Sequence, residues 1–254
     1  MKTFLLLLAC LACLGALAPS TVAQSSPGAE AATAGPAPSA MDEELSTPVR
    51  IVLILTVLAL APAILMTVTS FTRIVIVLSF VRRALSIQDM PPNQVIIGLS
   101  LFLTVATMQP ILDSIWEDAV TPYMNEEITL ADAGEKAAAD LHVFLRSHAR
   151  NDEVNLFLGI TGAEEPENPE DVSLTVMIPA FALSELKVAF KMGFLVYIPF
   201  LVVDIVVASI LLSMGMVMLP PVIISTPFKI LLFIMVDGWT LVVGSLMRSF
   251  EMVS

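Results

Sequence analysis

Four stretches of the chain are apolar for longer than an ordinary core helix needs, and the polar residues are gathered between them. Val49–Val81 exceeds a single bilayer crossing and holds Pro62 and Arg73 inside it. Asn93–Leu112 has ordinary spanning length. The third stretch lies within Pro179–Pro221. There an amphipathic approach carrying Ser184, Glu185, Lys187 and Lys191 gives way to an almost wholly apolar run from Met192 to Leu219. Pro199, Asp204 and Gly215 alone interrupt that run. At ~1.5 Å of rise per residue it is well over the ~30 Å of a bilayer core, so a bent helix packed among other subunits fits better than one straight helix in lipid. The fourth stretch, Ile230–Met247, follows Lys229 and contains Asp237. This pattern predicts an all-α membrane protein of two bent helical hairpins with a helical insert between them.

The segments outside these runs complete the layout. Met1–Ala23 has one lysine, an apolar core at Phe4–Leu17 and small residues before Gln24, the form of a secretory signal cut between Ala23 and Gln24. Gln24–Pro48 is rich in Ala, Ser, Gly and Pro and reads as a disordered linker. Residues 49–112 then form the first apolar hairpin, 113–178 the insert, and 179–254 the second hairpin with its methionine loop. Within the insert, Leu130–His148 repeats apolar residues at helical spacing through Leu141, Phe144 and Leu145, and Thr161–Pro169 is a Gly/Pro/Glu loop.

Composition turns this pattern into a class. Hydrophobic residues make up 57% of the chain and charged ones 14%, with a mean hydropathy of +0.88, outside the range of a soluble globular domain. The net charge of −12 is concentrated between Asp113 and Asp171, where Lys136, Arg146 and Arg150 alone oppose many acids. A solvated acidic insert in a nearly neutral membrane protein argues against a nucleic-acid partner. Arg82 and Arg83 sit between the first two stretches and Lys229 borders the connection between the last two. The positive-inside tendency therefore puts both connections in the cytoplasm and the insert in the periplasm. The signal peptide places the mature N-terminus on that same side.

Chemistry enters at few positions. Cys10 and Cys13 lie in the N-terminal apolar stretch, and His142 and His148 stand six apart, off the spacing of a zinc helix, so no metal site or cofactor is expected. No nucleophile elbow, His-Glu-x-x-His or phosphate loop appears, which speaks against an enzyme. Asp204 and Asp237 are costly in apolar surroundings and need partners or water. A polar clamp between helices is preferred to a proton-responsive pair, because no acid or lysine stands at helical spacing beside either. Pro199 removes a helix hydrogen bond and predicts a fixed bend rather than a hinge. Met214, Met216 and Met218 surround Gly215 just before Pro220 and Pro221. Their long, adaptable side chains fit a gap-filling core or a soft seal across an opening. Ala189-x-x-x-Gly193 and Ser209-x-x-x-Ser213 are small-residue pairs that permit close helix approach. Glu185 and Lys187, two apart, point to different sides of a helix and should not pair with each other; pairing between subunits and a solvated entry to the span stay equally open.

Several of these residues form a recognisable series. Pro179-Ala180-Phe181-x-x-Ser184-Glu185-Leu186, Phe190-Lys191-Met192-Gly193-Phe194, Ser70-Phe71-Thr72-Arg73-Ile74 and Pro91-Pro92-Asn93-Gln94-Val95 are similar to the signature of the FliP family of flagellar type III export-gate proteins. So are Met216-x-Met218-x-Pro220-Pro221, Pro227-Phe228-Lys229 and Val236-Asp237-Gly238-Trp239. The match runs in order from about Val49 to Phe250. The resemblance implies a ring of several copies, thought to be five, assembled with FliQ and FliR and working with FlhB and FlhA in the bacterial inner membrane at the flagellar basal body. Such a ring would pass unfolded flagellar proteins through a conduit driven by the export apparatus and the proton motive force. It further implies bent hairpins in a rising spiral, lifted largely above the bilayer, and a methionine gasket carried by Met216 and Met218, with Met214 beside them. Two other readings stay open: an injectisome-type gate, whose members usually lack the signal and the long insert, and an ion or small-solute transporter using Asp204 and Asp237. A transporter commonly shows internal repeats, and the two hairpins share none.

Overall fold

The computed structural model describes residues 47–87, 90–163, 172–216 and 218–251. The signal peptide, its cut at Ala23–Gln24, all of the linker but Thr47 and Pro48, and most of the Gly/Pro/Glu loop lie outside the described residues. Every element among the described residues is helical. In chain order these are α1 (Thr47–Val68), α2 (Phe71–Ala84), α3 (Asn93–Ile115), a π-helical turn (Trp116–Val120), α4 (Thr121–Met124), α5 (Leu130–His148), α6 (Asn151–Thr161), α7 (Leu174–Ser213), α8 (Pro221–Met235) and α9 (Gly238–Glu251). Asn93–Met124 and α7 are long and apolar enough to cross a membrane, and two bent pairs raise the possible spans to four.

The chain divides into two units, residues 1–61 and 62–254. In the first, the described part is the start of α1, whose Val52, Leu55, Leu58 and Leu60 are exposed. The second holds two apolar cores. One gathers Phe144, Leu145, Val154 and Leu158 of α5 and α6 against Val176, Met177, Ala180 and Phe181 of α7. The other joins Ile74, Val77, Leu78 and Val81 of α2 to Ala189, Phe200, Phe233, Val242 and Leu246. The amphipathic first half of α7 is thus the shared wall of both cores. Its small-residue pair explains how closely α2 approaches: Ala189 is fully buried, and a Cβ on Gly193 would stand 2.6 Å from the Phe80 ring. Ser209 and Ser213, the other small pair, are exposed and return their hydroxyls to backbone carbonyls one turn back.

Three details refine the sequence pattern. The first apolar stretch bends by 72° between α1 and α2, at Thr69-Ser70 and not at Pro62, which the helix runs through. Hydroxyl competition accounts for the place: Thr69 Oγ1 bonds the Leu65 carbonyl at 2.5 Å and the Phe71 amide at 3.2 Å, and Thr72 caps the Met66 carbonyl. Pro199, where the pattern predicts a bend, lies inside α7, an unbroken helix of 40 residues. In the fourth stretch the helix begins already at Pro221, with proline at its first position, and breaks by 62° before Gly238. Lys229 therefore sits within α8 instead of bordering a connection. Asp237 occupies the break in a left-handed conformation (φ 50°). Gly238 follows it because a Cβ there would meet the Phe233 ring at 2.2 Å.

Candidate functional site

The methionine turn is built by a helix stop. Gly215 takes φ 75°, its N–H bonds the Leu212 carbonyl at 3.0 Å, and the Met216 N–H reaches back to Leu211 at 3.0 Å. This paired closure is the Schellman arrangement, which needs a residue without a Cβ penalty at the left-handed position. Pro220 then turns extended (φ −65°, ψ 118°) and Pro221 opens α8. The turn directs its methionines outward: Met214 is 68% exposed, Met216 41% and Met218 97%. None of the three fills the chain's own core.

Behind the turn, α7 and α8 are fastened by charge. Lys229, buried to 1%, donates to Asp204 Oδ2 at 2.6 Å and to Ser86 Oγ at 2.7 Å. Ser225 donates to the other Asp204 oxygen at 2.5 Å. The α8 ammonium is thereby held by α7 and by the segment after α2 at once. The sequence offers no periodic signal for this pair, because its members lie 25 positions apart on different helices. Asp237 is placed differently. It is exposed in the break between α8 and α9, away from this network, so the two acids do not form a pair.

Arg73 and Glu185 come together as a second buried pair. The guanidinium grips the carboxylate with two donors, Nε to Oε2 at 2.8 Å and Nη2 to Oε1, and both side chains are at most 4% exposed. Nη1 also donates to Ser249 Oγ at 3.0 Å and to the Ser249 carbonyl at 3.2 Å. The cation lies over the Phe250 ring, 3.9 Å from its centroid. One bidentate cluster therefore ties α2, α7 and α9 together.

The insert is fastened to α7 at Lys187 and Ser184, and on the insert side by Glu153, which the sequence did not single out. Lys187 donates to Glu153 at 2.6 Å, and the Arg150 amide, at the start of α6, donates to Ser184 Oγ at 3.0 Å. Glu185 and Lys187 indeed pair with different partners, Arg73 and Glu153, and both lie in the same chain. Glu153 is 1% exposed. Burial pushes its carboxyl up, but hydrogen bonds from Lys187 and the backbone, with the Lys187 and Arg150 charges, outweigh this and hold it below the ordinary range. Glu153 shares a buried face with Val154 and Leu158, and that helical spacing was the one available hint. At the opposite end of the insert, Thr129 and Asp132 form a capping box at the start of α5.

No cluster of three or more metal-ligating side chains occurs among the described residues. What the chain offers is a set of internal fastenings around a helix turn with free methionines, on a surface that is apolar well beyond the turn.

The profile of the FliP family matches residues 54–246. The chain is 54% identical over 208 residues to a protein of Bacillus subtilis (strain 168) named flagellar biosynthetic protein FliP, covering 82% of this chain and 94% of that one. Proteins of the same name from Borreliella burgdorferi and Aquifex aeolicus are each 48% identical, over 210 and 205 residues. They cover 82% and 80% of this chain and 83% and 86% of their own length. A match of this extent, running through α2, the paired charges and the methionine turn, shows that the chain belongs to the FliP family.

Proposed function

We propose that this chain is a pore-forming core subunit of the flagellar type III export gate, passing unfolded flagellar proteins across the inner membrane as one of a ring of copies. The coarse part of that reading follows from kinship: the FliP family is a non-enzymatic component of the flagellar export apparatus, and its apolar helices suit a membrane-embedded flagellar component. The finer part rests on one observation. Three methionines project from a rigidly capped turn and are used by no core of their own chain. Methionine is flexible and polarisable, so equivalent turns brought around an axis would close an opening of varying shape. Such a seal parts for an unfolded chain and reforms behind it.

The ring would be assembled with FliQ and FliR and work with FlhB and FlhA. Apolar surface supports a shared assembly. The most apolar 18-residue window of α7 is only 6% buried within the chain, and α7 at 40 residues spans ~60 Å, about twice a bilayer core. Neighbouring subunits can cover what lipid cannot. The acidic insert faces the periplasm in this reading, opposite Arg82 and Arg83 at the end of α2.

Replacing Met216 and Met218 with alanine tests the seal. Cells carrying the double variant should leak ions or small solutes at rest, and an unchanged leak in a correctly assembled complex would count against the gasket. A photo-crosslinker at Met216 should capture stalled export cargo. Absence of cargo at that position under stalled export rejects the conduit, and a transporter reading would gain if ion flux instead followed Asp204.

A further inference from the structure

His148 ends α5, and its ring lies where the insert meets the last helix. It stacks on Phe144 of its own helix at 4.6 Å and on Phe250 of α9 at 5.5 Å between ring centroids. On Phe250 rests the Arg73 guanidinium that holds Glu185. The imidazole therefore adjoins the cluster that binds α2, α7 and α9. Its Nδ1 lies 3.0 Å from the Phe144 carbonyl. A carbonyl only accepts, and Ser147 Oγ, 2.9 Å from the same nitrogen, gives its own proton to that carbonyl at 2.8 Å, so the neutral ring carries its proton on Nδ1. Any second proton must go to Nε2. That atom is shut from water and has no hydrogen-bond partner.

We propose that His148 is an acid-released fastening between the insert and the end of α9. Protonation at Nε2, the ring atom shut from water, sets an imidazolium beside the Arg73 cation, and the ring leaves its place between Phe144 and Phe250. The insert end of α5 then loosens from the bundle. Arg73 of α2 acts on the ring, and the elements packed here also carry Glu185 on α7, Glu153 on α6 with Arg150 just before it, and Glu251 on α9. Glu185 is already engaged by Arg73, Glu153 by Lys187 and Arg150, and Arg73 is the charge that acts on the ring. Burial first, and Arg73 with it, hold the imidazole below its ordinary value despite the opposing Phe144 and Phe250 backbone. Under the proposed orientation the sensed pH is that of the periplasm. The orientation bears only on which compartment is sensed, not on whether the fastening releases.

Hydrogen–deuterium exchange on the full chain in detergent tests the idea, with rates corrected for the intrinsic effect of pH. Between pH 7.5 and 5.5, protection over residues 142–154 should fall by up to about tenfold per pH unit, the limit for one linked proton, while α7 keeps its protection. His148→Gln should flatten that dependence, and His142→Gln, the other histidine of the chain, should leave it intact. The same pH dependence in His148→Gln, or none in the unaltered chain, overturns the proposal. Should His148→Gln fail to fold, imidazole resonances of His142→Gln decide: His148 titrating above about 6.5 overturns it, and titration below that value together with loosening of residues 142–154 sustains it. Sidedness is read separately, by labelling a cysteine at exposed Ser147 from outside intact spheroplasts, so that a wrong orientation is told apart from a failed switch.

Discussion

Two ion pairs tie the helices together, one buried on both sides and one buried at its lysine, and each has a distinct expected response to mutation. Removing one partner of Arg73–Glu185 leaves a charge uncompensated in a site at most 4% exposed, which costs about 3–5 kcal/mol. Glu185→Gln should therefore greatly reduce folded protein, whereas Arg73→Met with Glu185→Leu should recover most of it. Denaturant unfolding in detergent measures both, and a double variant as unstable as the single one would refute the uncompensated-charge account. Asp204→Asn separates two roles for the other pair. Lost assembly with a destabilised chain marks a fastening, while normal assembly with lost export marks a switch. Of these four residues, Arg73 and Asp204 stood out in the sequence as charges in apolar surroundings, and Glu185 as part of an amphipathic approach. Lys229 was visible only as a charge flanking an apolar run. Pairing between residues 25 and 112 positions apart is decided by tertiary packing, which no periodicity encodes. Glu153 was hidden further, as one acid among many, because only the fold distinguishes a buried carboxylate from a solvated one.

At the scale of elements, helical spacing marked α5 and the long apolar run marked α7, while Ala189 and Gly193 marked a place of close helix approach without naming α2 as the helix that comes close. Gly193→Ala forces a Cβ to within 2.6 Å of the Phe80 ring. Overpacking of this kind costs about 1–3 kcal/mol, and Gly193→Ala with Phe80→Leu should restore part of it. An unaltered unfolding midpoint for Gly193→Ala would mean that the helices part more easily than their packing implies. Helix breaks were less legible. Pro199 marked one expected bend, whereas nothing in the pattern marked the two sharp breaks, 72° at hydroxyl residues and 62° at Asp237-Gly238, where side-chain competition and a left-handed residue end the helix. The insert should also respond to acid in two phases. His148 is depressed, so its stabilising contribution is complete above about pH 6.5 and lost as pH falls through its lower folded value. Glu153 and Asp132 are also depressed, the latter by its Thr129 hydrogen bonds. Their contribution is present above about pH 4.3 and lost only further down. A single transition, unchanged in Glu153→Gln, would contradict this order.

For the whole molecule the deciding quantity is the apolar surface that the chain leaves uncovered. Phe194, Val206 and Ile210 on α7 are 60%, 51% and 55% exposed, and Ile223 and Ile234 on α8 67% and 68%. Apolar area of this kind is stabilised only by contact with something equally apolar, at roughly 25 cal/mol per Å². Lipid tails and sister subunits both qualify, and hydropathy alone cannot distinguish them, which is why the sequence identified a membrane protein but left its neighbours undecided. Labelling can decide. In the assembled complex, single cysteines at Val206 and Ile223 should resist both water-soluble and lipid-soluble maleimides, and become reactive once the subunits are dissociated in detergent. Ready reaction with the lipid-soluble reagent in intact membranes would place these faces against acyl chains. The helices would then be spans in their own right, and the exposed methionine turn would have no sister turns to close against.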